Sequence, residues 1–293
     1  MRKMKILLTN DDGVRAPCLQ LLKREFSKFA DVYVVAPLEE KSTTGHSLTL
    51  KRPIAVEELE ASRVFGVDGF PADCVTWALG TIFKDAPPDV VISGINRGGN
   101  LAQDVFYSGT AAAAREGSFA KIPSMAVSLC MEFAKDFKDE EESFLGASKF
   151  VCELLKRGIQ RLIPSHYFLN VNIPYLKVPN TAKVTLSGLR LYRGEVHEIL
   201  CPRNRRYYWV GTGCDGHGIF KDHSSNAKKA SSGDAINVDS MMSDCEAVDV
   251  GVVSVTPLAF LPGSHESAWN SYLYQEELMR LLQTMDVQKI FSK

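Results

Sequence analysis

Long apolar runs are missing from this 293-residue chain. None approaches the ~20 residues that a bilayer-spanning helix needs. A dominant charge is missing as well. Lys and Arg number 34 against 35 Asp and Glu, a net charge of −1, so general binding to nucleic acid or membrane surfaces has no electrostatic basis. The seven cysteines form no CxxC pair and are odd in number, which favours reduced structural thiols in a cytosolic protein over a disulfide framework. The apolar run after Arg2 and Lys3 is too short for a signal peptide, because it meets Asn10-Asp11-Asp12. Familiar nucleotide and hydrolase motifs are lacking too. No GxxxxGK[ST] is present and no GxGxxG joins a buried strand to a helix, so neither a P-loop kinase nor a dinucleotide enzyme is indicated. No GxSxG supports an α/β-hydrolase, and Asp-Asp in place of Asp-x-Asp weakens an aspartyl-phosphate phosphatase.

What is present is a 45% apolar composition, enough for one large domain with a sizeable core. Ile6-Leu7-Leu8 has the length and branching of a buried strand. Ala16 to Phe29 follows with helical spacing, and Asp31 to Ala36 is a second strand ended by Pro37. This β-α-β unit predicts an α/β fold with a mostly parallel sheet. Short β segments fall at Pro53 to Val56 and Arg63 to Val67, and a helix opens at Gly69–Asp73 and runs to about Phe83. Asp89 to Ser93 is a third strand, followed by a polar loop from Gly94 to Asn100. The alanine-rich stretch after Thr110, Glu140 to Arg157 and Ala268 to Met285 read as helices. Ser124 to Leu129, Phe168 to Pro174, Val184 to Tyr192 and Val250 to Pro257 read as further strands. Residues 193–249 shift to Gly, Ser, Asp, Lys and aromatics, with Tyr207 to Val210 as one arm of a hairpin. They form either an excursion or a subunit contact within a single domain spanning 1–293.

Three polar loops follow three of these strands, so Asp11, Asp12, Ser42 and Asn96 converge on one sheet edge if the strands are parallel. All four offer oxygen, the ligand of hard cations such as Mg²⁺ or Mn²⁺. Ser108-Gly109-Thr110 at a helix start supplies backbone N–H groups, hydroxyls and the positive end of a helix dipole, a cradle for phosphate. Cation and cradle together point to phosphoryl chemistry. Each piece also has a plainer reading. Asn-Asp-Asp-Gly alone is more often a turn, Ser42 a loop hydroxyl, Asn96 a turn residue, Ser108 an N-cap, His46 a satisfied loop histidine and Asp73 a first-turn acid. Shared placement after strands leaves the two readings evenly balanced.

The motifs taken jointly resemble SurE, the survival-protein family of metal-dependent 5′/3′-nucleotidases. They are Thr9-Asn10-Asp11-Asp12-Gly13, Val35-Ala36-Pro37 with Ser42, Ser93-Gly94-Ile95-Asn96-Arg97-Gly98 with Asn100, Tyr107-Ser108-Gly109-Thr110, Asn170-Val171-Asn172-Ile173-Pro174 and Val253-Ser254-Val255-Thr256-Pro257-Leu258. The resemblance implies a Rossmann-like core with a projecting hairpin and a C-terminal segment, 266–293, that build dimers and sometimes tetramers. It implies one Mg²⁺ or Mn²⁺ per subunit on Asp11, Asp12, Ser42 and Asn96, with Asn100, Ser108, Gly109 and Thr110 around the substrate phosphate. The reaction implied is hydrolysis of nucleoside monophosphates to nucleoside and phosphate, with Asp11 favoured as proton acceptor or orienter. No membrane and no stable nucleic-acid partner are expected. Glu39 and Glu40 stand where many relatives are basic, and 193–249 matches the family poorly. The alternative is a nucleotide-binding or regulatory module without turnover, against which the Asp11-Asp12 pair argues, since phosphate binding alone needs no carboxylates. A purely structural domain is the third reading.

Overall fold

The computed structural model describes residues 2–131, 140–175, 178–211, 213–218, 241–259 and 276–292. Strand β1 (Met4–Thr9) lies between β2 (Ala30–Pro37) and β5 (Val90–Arg97), parallel to both. Its side chains alternate between two cores. Ile6 and Leu8 join Leu19, Leu22 and Phe26 of α1 (Pro17–Phe26) and Phe150 of α4 (Glu140–Lys156). Leu7 joins Cys74, Val75 and Ala78 of α2 (Pro71–Gly80) and Ala113 of α3 (Gly109–Phe119). A strand covered on both faces has no polar side, which is why Ile6-Leu7-Leu8 is an unbroken apolar run.

Among the described residues, nine strands share this sheet. Their order is β3 (Val56–Glu60), β4 (Val64–Val67), β2, β1, β5, β6 (Ser124–Cys130), β7 (Tyr167–Pro174), β13 (Val252–Ala259) and β8 (Thr181–Val184). Neighbours run parallel except β3–β4 and β7–β13, so the mostly parallel, Rossmann-like α/β expectation holds. From β1 the chain builds outward through β2 and β4, then returns to β5 and builds the other way through β6 and β7. Strand order therefore reverses between β1 and β5. Loops leaving such a switch point diverge and open a crevice at the carboxyl ends of the strands.

The structure redraws several boundaries. Gly94 to Arg97, expected as loop, continues β5, with a pairing irregularity against β6 between Ser93 and Asn96. Ile95 is fully buried, which draws the chain back into the sheet. Gly94 has φ +132°, and a Cβ there would lie 2.3 Å from Val127 O, so no other residue fits. The expected strand Val184 to Tyr192 is broken, Val184 ending β8 on the main sheet and β9 (Leu189–Tyr192) pairing elsewhere. The expected terminal helix is two helices within the described residues, α6 over 276–283 and α7 (Val287–Phe291), the second capped by Asp286. Residues 260–275, which include the start of that expected helix, lie outside the described residues.

Within 193–249, β10 (Val196–Leu200) and β11 (Arg206–Val210) form an antiparallel hairpin exposed along its whole length, confirming Tyr207 to Val210 as a hairpin arm. β12 (Cys214–Gly218) returns antiparallel to β9, so β9 to β12 belong to one arm. The helix α5 (Asp244–Asp249) instead packs into the body, burying Cys245 and Ala247. No helix among the described residues is long and apolar enough to cross a membrane. Phe150 is fully buried, with the ring of Phe291 6.1 Å away, and anchors α7 on α4. Phe150→Ala is expected to lower unfolding free energy by about 3–5 kcal/mol in urea titration; a loss under about 1 kcal/mol would show that this face is loosely packed.

Candidate active site

The run Asn10-Asp11-Asp12-Gly13 folds as a turn that carries two adjacent carboxylates. Asn10 closes the turn, its Nδ2 donating to Gly13 O at 3.0 Å and its Oδ1 accepting from Gly13 N–H at 3.2 Å. Gly13 has φ +102°, a conformation that favours glycine. The turn leaves Asp11 and Asp12 at the carboxyl end of β1, in the switch-point crevice.

Asp11 is seated on the amino end of α3. Thr110 N–H donates to its Oδ2 at 3.0 Å, and Thr110 Oγ1 donates to its Oδ1 at 2.5 Å. The carboxylate thus takes a place where the helix dipole favours negative charge. Gly109 makes the approach possible, since a Cβ there would lie 2.9 Å from Asp11 Cβ and 3.1 Å from Pro71 Cγ. Ser108 caps the helix, its Oγ accepting from Ala111 N–H at 3.0 Å. Both side-chain and backbone donors of Thr110, expected at a phosphate, are committed to Asp11.

Of the other two segments, the one after β2 is a loop, while Asn96 lies on β5 itself. Lys41 N–H donates to Asp11 O at 2.7 Å, which ties the loop carrying Ser42 to the β1 turn. Ser42 Oγ donates to Glu40 Oε1 at 2.7 Å, and Asn96 Nδ2 donates to Gly98 O at 2.8 Å. Arg97 at the end of β5 favours the charged form of Asp12, whereas Asp11 and Glu40 oppose it. His46 and Asp73 have ordinary roles. His46 pairs with Glu116 at 2.9 Å and stacks on Phe119, while Asp73 accepts from Phe70 N–H at the start of α2.

Asn100 is gripped from below by residues whose role was not legible in the chain. Asn170 Nδ2 and Asn172 Nδ2 both donate to Asn100 O, at 2.8 and 3.1 Å, and Asn172 Oδ1 accepts from Asn100 N–H at 2.9 Å. Asn100 Nδ2 donates to Ser128 Oγ at 2.7 Å. The available signal was the i, i+2 spacing of Asn170 and Asn172, which puts both on one face of a strand otherwise apolar.

Burial sets the electrostatics of the two carboxylates. Burial pushes Asp12 up to about 7, helped by Asp11 beside it and by Glu40. Burial raises Asp11 as well, against the two Thr110 bonds that favour its charged form. Adjacent desolvated carboxylates of this kind accept a cation readily. Among the described residues no three His, Cys, Asp or Glu side chains gather into a metal-holding group. A cation here would rest on two carboxylates completed by neutral oxygens such as Ser42 and Asn96, a set suited to hard divalent ions.

Comparison with known proteins places the chain in a family. The family described as Survival protein SurE matches residues 6–194. A 5′-nucleotidase SurE from Geotalea uraniireducens is 43% identical over 71% of this chain and 82% of its own length. One from Sulfurimonas denitrificans is 39% identical over 90% of this chain and 96% of its own length. The crystal structure of a SurE protein from Aquifex aeolicus superposes with a TM-score of 0.69 at 33% identity, covering 93% of this chain and 99% of that one. With its carboxylate turn, its glycine-seated helix start and relatives matched across most of their length, this chain belongs to the SurE family.

Proposed function

We propose that this chain is a divalent-metal-dependent phosphomonoesterase that hydrolyses nucleoside monophosphates to nucleoside and phosphate. The observation that carries the reading is the desolvated Asp11–Asp12 pair, with Asp11 set against the amino end of α3. Family membership and the 5′-nucleotidase names of the relatives support it.

In this reading Asp11, Asp12, Ser42 and Asn96 hold one Mg²⁺ or Mn²⁺. When bound, the ion supplies a Lewis acid for a phosphoryl oxygen and acidifies water. Thr110 fixes the Asp11 carboxylate, which holds its side of the site and orients the attacking water. Ser108 and Gly109 present the helix start to the substrate phosphate, and Asn100 approaches it from the neighbouring loop, held rigid by Asn170, Asn172 and Ser128. Thr110 contributes to phosphate binding through its hold on Asp11. The protein works in the cytoplasm, a placement supported by seven cysteines that are all free thiols. It assembles with itself through the arm, where Tyr207, Tyr208, Trp209 and Val210 on β11 and Val196, Ile199 and Leu200 on β10 are exposed.

Phosphate release from a panel of nucleoside monophosphates is expected with Mg²⁺ or Mn²⁺ and to vanish with chelator or in Asp11→Asn. Chelator-insensitive hydrolysis would sink the metal mechanism, and stabilisation by metal and nucleotide without release would mark a binding module instead. Metal at 100 times its Kd is expected to stabilise the wild-type fold by about 2.7 kcal/mol, and this gain is expected to shrink in Asp11→Asn. Thr110→Val, which removes one buried bond to a carboxylate, is expected to cost about 1.5–3 kcal/mol of stability, read by thermal unfolding. Sedimentation is expected to give a dimer or tetramer, and Trp209→Glu to shift it toward monomer; an unchanged mass would show that the arm is not the contact.

A further inference from the structure

Between Asn100 and Ser108 the chain makes a 3-10 turn, Ala102–Phe106, and this turn is fastened to the arm. Asp104 Oδ2 accepts from Arg190 Nη1 at 2.6 Å, and its Oδ1 accepts from the Tyr192 hydroxyl at 2.6 Å. Gln103 brackets the same strand, with Nε2 donating to Arg190 O at 2.5 Å and Oε1 accepting from Arg190 N–H at 2.9 Å. The side-chain amide of Gln103 thereby reproduces the two main-chain bonds that a neighbouring strand would make to β9. Just before it, Ala102 N–H donates to Asp244 Oδ2 at 2.8 Å, while Asp244 Oδ1 accepts from Gly188 N–H at 2.8 Å, ahead of β9. Asp244 is 1% exposed. The base of the arm and the loop between Asn100 and Ser108 are therefore one bonded unit.

A surface ion pair would hold little, because solvent screens it. The Arg190–Asp104 pair is only partly open to solvent, at 30% and 17% side-chain exposure, and the tyrosine hydroxyl shares the same carboxylate. Directional bonds on both oxygens of one carboxylate restrict its position more than charge alone does. The far end of the same arm is the exposed β10–β11 hairpin, so a load placed there acts on β9 and, through it, on Asp104.

We propose that Asp104, acting through Arg190 and Tyr192, is a positioning residue that sets the affinity of the site for substrate phosphate and couples the arm to that site. The identity of the substrate rests on the nucleotidase reading, while the coupling itself is readable with inorganic phosphate. A cradle that grips the phosphate alike in ground and transition states shows itself in KM and leaves kcat little changed.

The test compares Asp104→Ala, Tyr192→Phe and Asp104→Asn in the full chain with divalent metal. It measures KM and kcat on a nucleoside monophosphate, binding of inorganic phosphate, and melting temperature. Asp104→Ala is expected to raise KM and weaken phosphate binding by roughly tenfold, the size of one charge-assisted bond. Its kcat is expected to stay within about threefold of wild type. Tyr192→Phe shifts both in the same direction by less, and Asp104→Asn, which keeps an acceptor for Tyr192, recovers part of the loss. A lower melting temperature with unchanged KM and phosphate binding overturns the proposal, as does a fall in kcat at constant KM. If the wild-type chain releases phosphate from no nucleotide, the nucleotidase reading fails by itself, and phosphate binding across the three variants still decides the coupling.

Discussion

The hydrogen bonds from Thr110 to the Asp11 carboxylate organise the crevice. They join the end of β1 to the start of α3, two elements that are distant in sequence and adjacent across the switch point. A carboxylate 3% exposed needs such partners, because leaving it unpaired would cost several kcal/mol. Meeting that need imposes other features. Gly109 must lack a Cβ, Pro71 must stop short of the same space, and the backbone of Asp11 must stay free to accept from Lys41. One buried charge thus dictates residues on three loops.

Its neighbour has a different environment. Asp12 has no comparable seat, and burial together with Asp11 and Glu40 works against its ionisation. Two adjacent acids with unequal support make sense where a cation supplies the missing compensation. The same contrast separates holding from gripping at the other side of the crevice, where Asn100 is fixed on three sides by neutral groups of β6 and β7. Neutral amides can be buried there without a counter-charge, provided each finds a partner. The loop that follows Asn100 is then tied outward to the arm, so the crevice is supported from the sheet below and from a projecting element beside it.

Much of the body was legible in the chain. Ile6-Leu7-Leu8, Asp31 to Ala36 and the run starting at Asp89 are apolar because both faces of each strand are covered, and such runs stand out without coordinates. Gly94 to Arg97 misled for the opposite reason. Glycine and asparagine carry loop character, yet the close approach of Val127 O demands a glycine inside a strand. The single strand expected over Val184 to Tyr192 failed because the apolar alternation slips by one position at Ser187 and Gly188, from Val184 and Leu186 to Leu189 and Leu191, and the two halves pair with different partners.

At the crevice, residue order alone determined that acids, hydroxyls and amides would end strands and open a helix, and the joint motif was enough to name the family it resembles. Turn and site stood as alternatives because a one-dimensional pattern cannot show where a side chain is aimed. The tertiary structure shows Asn10 and Gly13 making the turn and Asp11 reaching α3. It also decided the roles of Thr110, Asn172 and Asp104, which depend on partners 99, 72 and 86 positions away. Local chemistry is written in neighbouring residues, whereas a buried charge finds its partner only when the sheet brings distant segments together.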